Sequence, residues 1–134
     1  MRPFTFPKNR RLLNKQQVQG VFDNVDCKQG SKYFTFLSCK NQLAVSRLGI
    51  IVAKRHVKTA VGRNAIKRRV RNTFRLTLPV NAAGPEPFDV LVIARPDCAN
   101  LPREKITAEL NRQWAKLIQK RQSRHAAAAT PTQP

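Results

Sequence analysis

The stretch VGRNAIKRRVRNTFR, Val61 to Arg75, decides how the rest of the chain is read. Six of its fifteen residues are Arg or Lys, none is acidic, and apolar residues recur at three- and four-residue steps. That spacing predicts a helix with one buried face. On a wheel of about 100° per residue, Arg63, Lys67, Arg71, Asn64, Arg75 and Arg68 fall on one arc of about 140°. Ile66, Val70 and Phe74 take the neighbouring arc with Thr73 and Thr77, and Arg69 points elsewhere. One face is therefore expected to dock on a sheet, while the other presents five cations and an Asn.

Basic helix faces are commonly only solvated, but such faces carry acidic partners at i, i+4 to offset repulsion. This helix has none. Arg is used at four of the five cationic positions of the arc, and its planar fork suits bidentate phosphate contacts. The surroundings reinforce the point. The chain of 134 residues has 26 Lys plus Arg against 7 Asp plus Glu, a formal charge of +19. Between Asp26 and Glu86 there are thirteen Lys or Arg and no carboxylate. A section of one sign is built to meet external negative charge.

An apolar fraction of 41% with seven Phe and one Trp supports one core at this length, hence one domain over residues 1–120. Cys27, Cys39 and Cys98 show neither C-x-x-C nor Cys/His spacing. They read as reduced thiols of a cytoplasmic protein, with no disulfide frame and no zinc site. The opening MRPFTFPKNRR has no signal-peptide or membrane-spanning run, and since no amphipathic segment pairs a basic face with an exposed Trp/Leu face, a membrane surface is the disfavoured partner and none is expected.

Residues 1–11 read as a basic arm, followed by a helix capped by Asn14, with Gln17 in the capping-box position and Leu13 stapling onto Val18. Val18, Val21 and Phe22 then share a face. KYFTFLSC (32–39) and LGIIVAK (48–54) read as strands, the second more buried. The basic helix follows and ends before Pro79, NAAGPEP (81–87) is a loop, and FDVLVIAR (88–95) is another strand. A last helix starts near Pro102 with Asn100 as cap and Ile106, Leu110, Trp114 and Leu117 as its buried stripe. From Arg121 to Pro134 the chain lacks a core-forming pattern and reads as a disordered tail.

Phe34 and Phe36 project from one face of their strand. They fit either a core or an aromatic platform for single-stranded RNA. Protein-borne catalysis is not expected. Asp23 with Asp26 and Glu86 with Asp89 are carboxylate pairs, but a two-metal site needs several carboxylates converging. Neither His56 nor His125 has a nucleophile at suggestive spacing. Composition leaves open a subunit of a catalytic ribonucleoprotein, a structural RNA binder of the ribosomal kind, and a DNA-reading helix domain. A strand, not a helix, feeds into the basic helix, which argues against a helix-turn-helix DNA reader.

The segment RLGIIVAKRHVKTAVGRNAIKRRVRNTFR (47–75) resembles the signature of the bacterial ribonuclease P protein component. In that family a strand ends in KK or KR and is followed by A-V-x-R-N-R-x-K-R-x-x-R-x-x-F. RRLLNKQQVQGVF (10–22) and FDVLVIAR (88–95) resemble further family segments, so about 100 residues match in order. Two positions depart: Ala65 stands where the family has the second Arg of R-N-R, and Val18 stands where an aromatic precedes Phe22 by four residues.

The resemblance implies an α+β, single-domain α/β sandwich in the order α-β-β-β-α-β-α, with the basic helix in a left-handed strand-helix-strand crossover. It implies a non-catalytic protein subunit. A large RNA subunit, with Mg²⁺, hydrolyses the bond joining the 5′ leader to precursor tRNA, and the protein binds both ribonuclease P RNA and the leader. No cofactor is then held by protein residues, and DNA is no partner. Carried over by position, the RNA-subunit face comprises Lys54, Arg55, Arg63, Asn64, Lys67, Arg68, Arg71 and Arg75. The leader is expected in a cleft between the first helix and the sheet, against Val18, Phe22, Phe34 and Phe36.

Overall fold

The computed structural model describes residues 10–12, 14–43, 45–78 and 86–129, with side chains to 123. Helix α1 spans Lys15–Asp23, strands β1, β2 and β3 span Cys27–Gly30, Phe34–Lys40 and Arg47–Ile51, and helix α2 spans Ala60–Thr77. Strand β4 (Phe88–Ala94), a 3-10 turn (Pro96–Asn100) and helix α3 (Arg103–Ala129) complete the order. The sheet runs β1-β2-β4-β3, antiparallel except that β3 and β4 are parallel neighbours joined through α2. The α+β order read from the sequence is the order found. A parallel pair needs such a crossover, and a helix with one apolar stripe supplies it while covering the sheet.

Strand parity divides the core in two. Phe34, Phe36, Val90, Val92 and Leu48 point to the side covered by α2 and α3, where they meet Ile66, Val70, Phe74, Leu110, Trp114 and Leu117. The rings of Phe36 and Trp114 meet edge to face at 4.7 Å, and Phe74 lies 5.5 Å from Trp114. The one polar atom of Trp114 is satisfied, since Nε1 donates to Thr73 Oγ1 at 2.9 Å. The docking stripe of α2 is thus Ile66, Val70, Thr73 and Phe74, as the wheel requires.

The opposite side carries a thinner cluster of Leu12, Val21, Cys39 and Leu91, with Val18, Leu37, Ile51 and Ile93 half-buried around it. Here α1 lies on β2 and β4. Asn14 caps it, accepting from the Gln17 amide at 2.9 Å. Gly49 is needed where Leu12 crosses β3: a Cβ there would sit 3.0 Å from Leu12 Cδ1 and 3.1 Å from Leu91 Cδ1.

Three sequence readings change, and the first of the three strands expected before α2 gains its place. Arg10, placed in the basic arm, is buried: Nε donates to Ser46 O at 3.2 Å, Nη2 to Leu78 O at 2.5 Å, and the guanidinium lies 4.7 Å from the Phe74 ring centre. It closes the C-terminal end of α2, where free carbonyls favour a cation. Arg121, placed at the head of a disordered tail, is also buried. It reaches Asp26 Oδ1 at 2.6 Å and Ser38 Oγ at 2.8 Å and stacks over Phe88, while α3 continues to Ala129. Asn100 ends the 3-10 turn, two residues too early to cap α3. Strand β1, CKQG, is a polar edge strand that no hydrophobic alternation announces. Residues 1–9, Leu13, Pro79 and most of the 81–87 loop lie outside the described residues, as do the side chain of His125 and residues 130–134.

Candidate RNA interface

The start of α2 is held by short-range polar contacts. Thr59 caps it, its Oγ1 accepting from the Gly62 amide at 3.0 Å. Gly62 is tight against the preceding turn, because a Cβ there would meet Thr59 Oγ1 and Val57 Cγ1 at 2.9 Å. Arg63 is partly committed inside the protein: Nη1 donates to Val57 O at 2.9 Å and to Lys58 O at 3.1 Å. That staples the turn carrying Lys54, Arg55 and His56 against the helix. Arg55 Nε in turn approaches His56 Nε2 at 3.3 Å.

Beyond Arg63, one turn apart on the side away from Ile66 and Val70, come Asn64, Lys67, Arg68, Arg71 and Arg75. Asn64 and Arg68 are exposed, and the others are half-buried. Lys67 and Arg68 make no hydrogen bond or ion pair among the described residues. Arg75 donates to Asn72 Oδ1. Burial, and after it the neighbouring Arg11, lowers the pKa of Arg71 below the usual arginine value. That proximity extends the ridge: Arg11 lies beside β3, bridging to Leu48, so positive charge continues from α2 to the sheet edge and the segment leading into α1. Arg69 is elsewhere, donating to Thr107 Oγ1 of α3 at 3.1 Å.

The four residues expected in the leader cleft do not come together. Phe34 and Phe36 are 0% exposed in the α2/α3 core, on the far side of the sheet from α1. This corrects their assignment to the cleft. Val18 and Phe22 do stand on α1, with Phe22 42% exposed. The sheet residues on their side are Thr35 and Leu37 of β2, Ile93 of β4 and Ile51 of β3, all half-buried. Alternation at 32–39 showed that Phe34 and Phe36 share a face, but parity has no sign when helices cover both faces. The usable signal was size, since the largest side chains fill the thicker layer under two long helices.

The carboxylates have structural partners. Asp89 receives Arg47 through Nε at 2.9 Å and Nη2 at 2.7 Å, with Asn41 Nδ2 at 2.9 Å. Asp26 accepts from the Lys40 amide at 3.0 Å as well as from Arg121. Among the described residues no group of three or more His, Cys, Asp or Glu could hold a metal, and no helix is long and apolar enough to cross a membrane.

The family model for Ribonuclease P matches residues 6–118. The chain belongs to the ribonuclease P protein family. Its function is that family's, an RNA-binding subunit of the ribonuclease P ribonucleoprotein. The ribonuclease P protein component of Ectopseudomonas mendocina is 35% identical over 127 residues, which is 95% of this chain and 92% of the relative. That of Marinobacter nauticus is 36% identical over 120 residues, 90% of this chain and 87% of the relative. Among solved structures, the Staphylococcus aureus RNase P protein superposes with a TM-score of 0.70 at 26% identity, covering 81% of this chain and 97% of its own. The Thermotoga maritima RNase P protein gives 0.63 at 26% identity, covering 82% and 96%. The ribonuclease P match thus runs through α2 with its cations and through both layers of the sandwich.

Proposed function

We propose that this chain is the non-catalytic subunit of a cytoplasmic endoribonuclease that removes the 5′ leader of precursor tRNA. The RNA subunit, with Mg²⁺, performs the hydrolysis. The ridge Asn64, Lys67, Arg68, Arg71 and Arg75, with Lys54, Arg55 and Arg11 at its ends, receives phosphates of that RNA, while Arg63 both contacts it and holds the turn in place. The observation carrying this reading is that the α2 cations lie on the arc beside the docking stripe, with Lys67 and Arg68 making no hydrogen bond or ion pair among the described residues. Such charge repels itself until a polyanion arrives, and each phosphate neutralised releases counterions. The cytoplasmic setting is supported by three cysteines that remain free thiols.

The leader lies across the other side of the sheet, against Val18 and Phe22 of α1 and Thr35, Leu37, Ile51 and Ile93. Phe22 supplies the exposed ring on which an unpaired base stacks, and the aliphatic residues exclude water beneath it. Without an aromatic at position 18, stacking rests on Phe22 alone.

Reconstitution tests the reading. The chain, added to a bacterial ribonuclease P RNA at low Mg²⁺ and physiological salt, should accelerate precursor tRNA cleavage, and no acceleration would refute it. Within that assay Phe22→Ala should weaken precursor binding more than mature tRNA binding while leaving the fold intact. Phe36→Ala should instead cost about 3–5 kcal/mol of stability and affect both RNAs alike.

A further inference from the structure

A cavity of about 440 Å³ opens between the first turns of α2 and the segment from the 3-10 turn into α3. Its floor is apolar, with Ile66, Leu101 and Ile106, and its rim carries Lys58, Arg69 and Arg103. Among the described residues lining it, none is acidic. The volume lies in the range of about 300–1,000 Å³ usual for small-ligand sites. Two features mark it as more than a packing gap. Arg69 is held across α2 and α3 by its bond to Thr107 Oγ1, which keeps a guanidinium at the rim. His56 also lines the cavity, and its buried Nδ1 has no hydrogen-bond partner among the described residues.

Ala65 lines the cavity one turn before Arg69. A longer side chain at 65 would occupy part of the space, whereas Ala leaves it open and Arg69, at i+4 on the same face, puts a cation back beside it.

We propose that this cavity takes one unpaired nucleotide of the bound RNA, the base against Ile66, Leu101 and Ile106 and its phosphate on Arg69 and Arg103. The apolar floor with a wholly cationic rim matches the two halves of a nucleotide. Occupancy by RNA follows from continuity: Ala65 and Arg69 follow Asn64 and Arg68 directly on α2, one step round the helix from the ridge, so a strand held on the ridge has neighbouring nucleotides at the mouth. The inference rests on α2 being the RNA-subunit face.

The test uses the full chain with a bacterial ribonuclease P RNA. Ala65→Leu narrows the cavity beside Ile66 without changing charge and keeps helix propensity. It should weaken RNA binding by about tenfold, the scale of one lost base-stacking contact, and leave the slope of log affinity against log salt unchanged. Base-reactivity footprinting should show one unpaired nucleotide that the original chain protects and the variant exposes. Arg69→Gln should instead lower the slope by about 0.7. Ala65→Met, smaller in demand on packing, should reproduce the footprint change should Ala65→Leu disturb folding. Equal affinity and an unchanged footprint for the folded cavity-narrowing variants would overturn the proposal, while α2 would keep its RNA. Failure of the original chain to bind the RNA at all would overturn the underlying reading instead.

Discussion

Replacing Arg68 and Arg63 separately distinguishes a cation that binds RNA from one that also builds the protein. Arg68 is exposed and has no partner among the described residues, so Arg68→Ala should change stability by no more than about 0.5 kcal/mol. Its effect belongs to the complex. One phosphate contact contributes about 0.7–0.9 to the slope of log affinity against log salt. Carried from a 1 M reference to about 0.15 M salt, that slope corresponds to a four- to sixfold loss, about 1 kcal/mol. Arg63 donates from Nη1 to two carbonyls of the preceding turn. At a partly solvated site those bonds contribute about 1 kcal/mol to folding, a fall of about 3–5 °C in Tm for a chain of this size. The assays are filter binding to the RNA subunit across a salt series and thermal unfolding of the free chain. Arg68→Ala should move the first and not the second, and Arg63→Ala should move the second. Equal slope changes for both with no fall in Tm for Arg63→Ala would refute the assignment of Arg63 as a staple.

Two further outcomes follow from buried groups. Arg121→Ala should destabilise the chain by about 2–3 kcal/mol in urea unfolding, because it strips a partner from Asp26 and uncovers Phe88; truncation after Lys120 should do the same, and an equally stable truncated chain would show the helix extension to be dispensable. Burial pushes the thiols of Cys39 and Cys98 up, Cys39 further so by Asp89 and Asp26. The folded chain thus holds protons that the unfolded chain releases, so stability should be full below the ordinary thiol pKa of about 8.5 and fall as pH rises through it. A Cys39→Ala, Cys98→Ala variant should flatten that fall between pH 7 and 9.5, and an unchanged pH profile would count against it.

What the sequence showed and what it hid follow from how far each residue's partners lie along the chain. Helix α2 was legible because its two faces differ in kind: Ile66, Val70 and Phe74 against Lys67, Arg68 and Arg71. The face taken by Phe34 and Phe36 was not, because both sides of the sheet are covered and only the three-dimensional arrangement says which cover is thicker. Arg10 and Arg121 were hidden for the same reason. Their partners Leu78 and Asp26 lie 68 and 95 residues away, and a basic residue outside a periodic pattern looks solvated until such an acceptor is known. Strand β1 escaped because an edge strand of four residues has no need of apolar alternation.

The distribution of cations also bears on how a chain of charge +19 folds at all. Arg10, Arg47, Arg63, Arg112 and Arg121 each find a carbonyl or carboxylate oxygen of the protein itself. Four of them lie where elements meet, Arg10 at the end of α2, Arg47 in the β3/β4 pair, Arg63 at the turn before α2 and Arg121 where α3 meets β1 and β2, while Arg112 pairs with Glu109 within α3. The charges of Arg47, Arg112 and Arg121 are compensated by carboxylates, and those of Arg10 and Arg63 are solvated by carbonyl dipoles, so these residues contribute to folding instead of opposing it. Lys67 and Arg68 lie along a helix whose apolar stripe is already docked, with no hydrogen bond or ion pair among the described residues, and their mutual repulsion with Arg71 is a cost the free protein carries. A ligand that removes that repulsion binds the folded form in preference, because only the α2 helix holds these cations at one-turn spacing. On the proposed interface, RNA phosphates would be coupled to folding through these same residues, while the paired arginines keep the sandwich closed before any RNA arrives.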